Sequence, residues 1–249
     1  MDFGLLGLDF NLILLSFIMA RMVGCIYFNP IFGQRTVPAR IKAALTLFMS
    51  IFVYSNLPSN NVEEMGLVTF GIIVAKEVLI GFLAGFIIRL FMSIITMGGE
   101  VLDFNMGMAM AKIYAVSSSF LNVLFMFIFF ATNSHLTMMQ FFCLLGEISP
   151  YGEFAITQDF LWAIIELLNL VVLYAVKLTL PIFAVEMITE ASVGLLMKAV
   201  PNIQLISLNI EFKMLVGIIC MVLLVPSYAN FLDRLIEIMF DKMVVIFGL

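Results

Sequence analysis

The chain has 249 residues, 63% of them hydrophobic and only 12% charged, with a formal net charge of −5. Soluble domains keep about a quarter of their residues charged, so a mean hydropathy of +1.17 excludes an ordinary water-soluble globule and points to an integral membrane protein or a subunit buried in a membrane-anchored assembly. The acidic balance is diffuse and no basic stripe exists, which excludes a nucleic-acid partner.

The segment from Met1 to Phe10 carries Asp2 and Asp9 and no base. A cleavable signal peptide needs a positive start and a small-residue cleavage site, so the first apolar segment is expected to stay in the mature protein. Six apolar runs follow: Leu12 to Phe32, Ile41 to Leu57, Leu67 to Met97, Phe120 to Leu145, Phe160 to Val200 and Met214 to Leu249. A simple span takes about 20 residues, so the third, fifth and sixth runs must tilt, break or project beyond a bilayer. Pro181 and Pro226 lie inside the last two, where a lost N–H and a ring clash kink or split a helix. The fifth run is expected to form two helices bent near Pro181.

The connections alternate in charge. Arg35, Arg40 and Lys42 separate the first two runs without an acid, Glu63 and Glu64 follow without a base, Gly146 to Asp159 holds three acids, and Lys198 and Lys213 flank the next connection. The positive-inside rule then places the N-terminus outside and the Arg35–Lys42 and Lys198–Lys213 segments on the cytoplasmic side. Charges also recur inside the runs, at Lys76, Glu77, Arg89, Lys177, Glu186 and Glu190. Each is costly in hydrocarbon unless it faces a partner, a cavity or water.

Gly81 and Gly85 stand one turn apart behind Glu77 and form a small-xxx-small face. That face serves packing within the chain or against another subunit; because adjacent helical residues point about 100° apart, Glu77 and Lys76 are expected to reach different neighbours, which favours a contact between subunits. The stretch Gly98 to Ser119 alternates Met106, Gly107, Met108, Ala109 and Met110, then ends on Ser117, Ser118 and Ser119. A spacing of two makes no helix stripe. Glycine-rich backbone with flexible thioethers suits a loop that closes a passage, but a plain connector whose methionines fill gaps is the favoured reading of the residues alone, with Glu100, Asp103 and Lys112 expected to keep it near water. Asn133, Ser134 and His135, the only histidine, interrupt the apolar fourth run; interhelical hydrogen bonding accounts for them more simply than a proton relay. Cys25, Cys143 and Cys220, an odd number without CxxC spacing, read as small buried hydrophobes. No HExxH, GxSxG, P-loop or dinucleotide turn is present, so neither an enzyme nor a metal or cofactor site is expected. Glu186 and Glu190 share a helix face and are most simply met by a base on another helix.

Taken in order, several short patterns resemble the FliR family of the bacterial type III secretion export gate. They are Arg21, Asn29-Pro30-Ile31-Phe32-Gly33, Val37-Pro38-Ala39-Arg40-Ile41-Lys42, Glu77-x3-Gly81-x3-Gly85-Phe86, Gly99-Glu100 with Met106-Gly107, Asn133-Ser134-His135-Leu136, Leu180-Pro181, Gly194-Leu195-Leu196, and Lys198-Ala199-Val200-Pro201. Three positions depart from the family pattern. Pro201-Asn202-Ile203-Gln204 exchanges two amides, Lys198 stands for an arginine, and the Asp-Pro that often follows Tyr114 is replaced by Ala115 to Ser119.

The resemblance implies an all-α fold of kinked and broken long helices arranged as hairpins, with a FliP-like part at 1–170 and a FliQ-like hairpin at 171–249. It implies a non-enzymatic subunit of the export gate, most naturally flagellar, at the base of a basal body in the bacterial inner membrane. The expected partners are FliP-like and FliQ-like subunits, an FlhB-like subunit, unfolded export substrates and membrane lipid. The family's plug would fall on Met106, Gly107, Met108, Ala109, Met110 and Ser117 to Ser119, which reverses the preference for a plain connector. Subunit packing would fall on Glu77, Gly81, Gly85, Arg89, Glu186 and Glu190, and the cytoplasmic contact on Arg40, Lys42, Lys198, Pro201 and Lys213. The rival reading is a stand-alone secondary transporter with Glu186, Glu190 and Lys177 as a midplane coupling site; a scaffold without a conduit is a second rival.

Overall fold

The computed structural model describes residues 11–57, 66–108, 115–152, 158–199 and 205–248. These form eight helices and no strand among the described residues: α1 (Leu12–Tyr27), α2 (Ala39–Asn56), α3 (Leu67–Asn105), α4 (Val116–Ala131), α5 (Ser134–Ile148), α6 (Gln158–Ala199), α7 (Leu205–Leu223) and α8 (Val225–Phe247). The all-α class that the resemblance implies is what the described residues adopt.

Local chemistry explains the ends. Asn11 caps α1, its Oδ1 accepting from the N–H groups of Ile13 and Leu14 at 3.1 and 3.2 Å, which satisfies donors a helix start leaves open. Within α2, the hydroxyls of Thr46 and Ser50 donate to the carbonyls of Lys42 and Thr46 at 2.8 and 2.7 Å. Polar side chains are thereby satisfied inside an apolar helix without a partner from elsewhere. α3 runs through Gly98-Gly99 and stops at Gly107, whose φ is +74°. There Met108 N–H donates to Asp103 O at 3.0 Å and Gly107 N–H to Phe104 O at 3.1 Å, the pair of bonds that closes a helix on a left-handed glycine.

The breaks correct one expectation and meet another. The fifth run is one 42-residue helix with Pro181 inside it, not two helices. Long apolar helices tolerate an internal proline where neighbours and local adjustment re-satisfy the freed carbonyl. The sixth run breaks at Leu224, giving a 62° bend between α7 and α8. Pro226 follows as the second residue of α8, where its missing N–H is one that a helix start leaves unpaired in any case. The fourth run is also two helices, because Asn133 takes φ 58°, a left-handed conformation that Asn enters more readily than most residues.

Two helices, Leu67–Asn105 and Phe160–Leu196, are long and apolar enough to cross a membrane, and four spans result if the sharply bent pairs α4–α5 and α7–α8 each count as one. Large apolar side chains stand fully outward on them and elsewhere, including Leu67, Val123, Phe127, Trp162, Ile188 and Leu195. A soluble monomer does not carry apolar surface on this scale.

The described residues divide into two compact units. The first comprises 1–89, 136–163 and 240–249. In it α1 packs against α2, and Phe17, Ile18, Met22, Cys25, Ile80, Ile88, Phe142 and Leu145 are fully buried. The second comprises 90–135 and 164–239, with a core that includes Phe91, Ile95, Leu102, Phe125, Phe129, Ile182, Leu232 and Met239.

Candidate functional site

In the first unit one helix crossing is built on glycine. A methyl group on Gly24 of α1 would lie 2.5 Å from the carbonyl oxygen of Val78 and 2.7 Å from the nitrogen of Phe82, and one on Gly81 would run into the carbonyl of Arg21. A methyl group on Gly85 would lie 3.1 Å from the carbonyl carbon of Phe28, one α-helical turn beyond Gly24. The backbones of α1 and α3 therefore touch, and only hydrogen fits between them.

That approach brings two charges together out of water. Arg21 is fully buried and its Nε donates to Glu77 Oε2 at 2.6 Å. Arg21 Nη1 donates to the carbonyls of Leu145 and Ser149 at 2.7 and 2.8 Å, satisfying acceptors at the C-terminal end of α5. The guanidinium lies 4.1 Å from the centre of the Tyr151 ring, and Glu77 Oε1 accepts from Gly152 N–H at 2.8 Å. Burial pushes the Tyr151 phenol up from its ordinary range against the opposing pull of Arg21. One ion pair thus fastens α1, α3 and the turn after α5. Glu77, Gly81 and Gly85, which the sequence associates with a contact between subunits, are taken up by packing inside the chain. Arg21, Gly24 and Tyr151 complete this network; only a counter-charge search among the apolar runs would have found Arg21 as the partner of Glu77.

The motif Asn29 to Gly33 makes the turn after α1. Asn29 Oδ1 accepts from Ile31 N–H at 2.7 Å, its Nδ2 reaches Met138 Sδ at 3.2 Å, and Gly33 N–H closes on Asn29 O at 2.7 Å. Lys42 then donates to Gly33 O at 2.9 Å. Arg40 is exposed.

In the second unit, the connector between α3 and α4 is tied at both roots. Asp103, buried rather than near water, accepts from Ser117 N–H through Oδ1 at 2.9 Å, while its Oδ2 is buried without a partner. Ser117 Oγ faces Met106 Sδ at 4.0 Å. Gly99 makes room for the backbone of Ser118, since a methyl there would lie 2.6 Å from its nitrogen. Met106 and Met108 are buried, and α4 starts from Ala115 at φ 59°. Ser117, Ser118 and Ser119 thus belong to the first turns of α4 and not to the connector. Ala109 and Met110, with Lys112, lie outside the described residues.

Glu186 meets the same root. A methyl on Gly217 of α7 would sit 2.6 Å from Met106 Cγ and 2.9 Å from Glu186 Oε1, so the thioether and the carboxylate converge over one glycine. Glu186 is 1% exposed and neither of its oxygens has a hydrogen-bond partner among the described residues. The base expected for it goes elsewhere: Lys213 pairs with the half-exposed Glu190 at 3.1 Å. Lys177 turns to the Tyr174 ring at 4.8 Å and stands nine residues before Glu186, about 13.5 Å along the helix. Arg89 is exposed in the apolar middle of α3 and Lys198 is exposed near the end of α6. Pro201 lies outside the described residues. His135 stacks against Phe130 with ring centres 5.2 Å apart, directly after the break at Asn133.

Among the described residues no cluster of three or more His, Cys, Asp or Glu could hold a metal ion. What the geometry offers is mechanical: a fastened helix crossing in one unit and a connector pinned at both ends in the other.

Residues 12–239 match the family described as "Bacterial export proteins, family 1". The chain is 23% identical over 231 residues to the flagellar biosynthetic protein FliR of Escherichia coli (strain K12), covering 90% of this chain and 88% of the relative. It is 24% identical to that of Pectobacterium carotovorum subsp. carotovorum, over 89% and 87% of the two chains, and 20% identical to that of Bacillus subtilis (strain 168), over 84% and 86%. With the match running from the first residues of α1 to the middle of α8, the chain belongs to the bacterial export proteins, family 1, the family of FliR.

Proposed function

We propose that the chain is a subunit of the export gate of a bacterial type III secretion system, most naturally the flagellar one, and that it forms part of a closed channel for unfolded substrate proteins in the inner membrane. Its partners in this reading are FliP-like and FliQ-like subunits and an FlhB-like subunit, with 1–170 as the FliP-like part and 171–249 as the FliQ-like hairpin. The segment from Met106 to Ala115 is the plug. Arg89 and outward apolar side chains such as Val123 and Phe127 of α4 meet neighbouring subunits, and Arg40, Lys198 and Pro201 face the cytoplasmic side.

The observation that carries the reading is the pinned connector. Asp103 holds Ser117 N–H at 2.9 Å across a 14-residue separation, Gly107 and Ala115 take left-handed backbone at its two ends, and Met106 is buried at its root. A segment held at both roots can be displaced by a passing chain and return without unfolding the helices it joins. The test replaces Gly107 to Ala111 by a shorter flexible linker and records ion conductance of membranes containing the assembled complex. Leakage of small ions with assembly intact supports the plug. A complex that assembles and stays tight overturns it. Co-purification in mild detergent with the three partner types, with one copy of this chain, checks the assembly separately.

A further inference from the structure

We propose that the groove between α2 and α5 in the first unit seats an acyl chain of an anionic phospholipid whose phosphate is held by the basic residues at the N-terminal end of α2. The inference is independent of the plug. The groove has a volume of about 690 Å³ and its walls include Leu45, Phe48 and Phe52 on one side and Leu136 and Leu144 on the other, with Gln140 as its polar member. Phe48 and Phe52 are 67% and 50% exposed, so the groove opens along its length.

The direction of the helices fixes which charge meets which end. Arg21 of α1 bonds to Leu145 and Ser149, and Asn29 beyond its end reaches Met138, so α5 runs against α1. Lys42 bonds to Gly33 while Tyr54 OH accepts from Asn11 N–H, so α2 also runs against α1. α2 and α5 therefore run in the same direction, and the Leu45–Leu136 end of the groove is the end that carries Lys42 and Arg40. Lys42 precedes Leu45 by one turn, and Arg40 by about 7.5 Å along the axis. No acid occurs in the sequence between Asp9 and Glu63, while Arg35, Arg40 and Lys42 fall in that interval. Arg35 and Arg40 are exposed. The positive end of the α2 macrodipole adds to the same field. An apolar slot with a base-rich segment free of acids beyond one end matches an acyl chain joined to a phosphate. A partner helix fits less well, because the lined length from Leu45 to Phe52 is about 10.5 Å, short of the surface a specific protein interface buries.

The experiment is native mass spectrometry of the whole chain, in its complex where it forms one, titrated with phosphatidylglycerol and, separately, with phosphatidylcholine. Phosphatidylglycerol is expected to saturate one site per chain at lower concentration than phosphatidylcholine. The double variant Arg35→Gln/Arg40→Gln should weaken phosphatidylglycerol about thirty-fold, two charges at about 1 kcal/mol each, and leave phosphatidylcholine unchanged. Leu136→Trp, which fills the slot, should abolish both. A phosphatidylglycerol carrying a photoreactive acyl chain should label the peptide containing Met139 and Cys143. Equal binding of the two lipids, an unchanged affinity in the arginine variant, or labelling elsewhere would overturn the proposal. So would a photoreactive residue at Phe48 that captures a neighbouring subunit in place of lipid.

Discussion

Glu77 and Glu186 are both buried carboxylates on long apolar helices, yet the chain treats them differently. Glu77 meets Arg21 Nε at 2.6 Å and Gly152 N–H at 2.8 Å, so one oxygen is paired with charge and the other with backbone. Among the described residues Glu186 has no hydrogen-bond partner, and Lys213, which acts on it only through its charge, pairs with Glu190. The first arrangement pairs the two charges and fastens three segments, although Arg21 Nη2 is buried without a partner among the described residues. The second leaves a carboxylate open where α6 and α7 meet the root of the connector. In a chain built almost wholly of apolar helices, a charge that is answered locally marks scaffold, and one left unanswered marks a place where structure is free to change.

The comparison breaks most sharply at Arg21. Arg21→Met leaves Glu77 buried without its counter-charge, and removal of one member of a buried pair costs about 3–5 kcal/mol. Most of the protein should be lost from the membrane fraction, and what remains should unfold early in detergent thermal scans. The double variant Arg21→Met/Glu77→Leu should recover much of that loss, since an apolar pair of similar volume carries no desolvation cost. Single variants as stable as the parent chain would end the claim that this pair is scaffold.

A smaller effect is expected at Asp103. Asp103→Ala removes the carboxylate that holds Ser117 N–H, a charge-assisted bond worth about 1.5–3 kcal/mol. The loss should be local: faster hydrogen exchange and protease cleavage between Met106 and Val116, with the first unit unchanged. Smaller again is Gly107→Ala, which forces a left-handed position on a residue with a Cβ at a cost of about 1–2 kcal/mol. It should fray the last turn of α3 while the Asp103–Ser117 bond persists, so hydrogen exchange would separate the two variants residue by residue.

Much of this was legible in the sequence, and the rest was hidden for identifiable reasons. Six apolar runs marked where the eight described helices lie, because burial in lipid or protein demands them, but missed 98–105 of α3 and 205–213 of α7, while Gly81 and Gly85 announced a close crossing. The breaks were harder. Pro181 looks like a stop and is not one, because a proline costs one hydrogen bond and its neighbourhood can absorb it, while Pro226 lies where no bond is lost. Asn133, one polar residue among many, turns the chain through a left-handed conformation that composition does not reveal. Gly107 reads as loop flexibility in a Met-Gly-Met-Ala pattern, but its bonds identify it as the residue that ends α3. The pairing of Arg21 with Glu77 joins residues 56 apart, and nothing in local spacing selects that partner over the other bases.

The mildest change tests the other side of the comparison. Glu186→Gln keeps the shape of the side chain beside Met106 and Gly217 but has no charge to bury, so stability should stay within about 1 kcal/mol of the parent or rise, whereas Glu77→Gln should fall because it weakens both of its contacts. The Lys213–Glu190 pair next to it is partly in solvent, and Lys213→Met should cost under about 1 kcal/mol, shrinking further at high salt. Thermal scans of the three variants at two salt concentrations supply the comparison. If Glu186→Gln destabilised as much as Glu77→Gln, the carboxylate at the connector root would have a structural partner of its own, and the contrast between the two buried acids would disappear. If it is neutral or stabilising, Glu186 is retained at that position for something other than folding, and the movement of the adjoining Met106 is the first place to look.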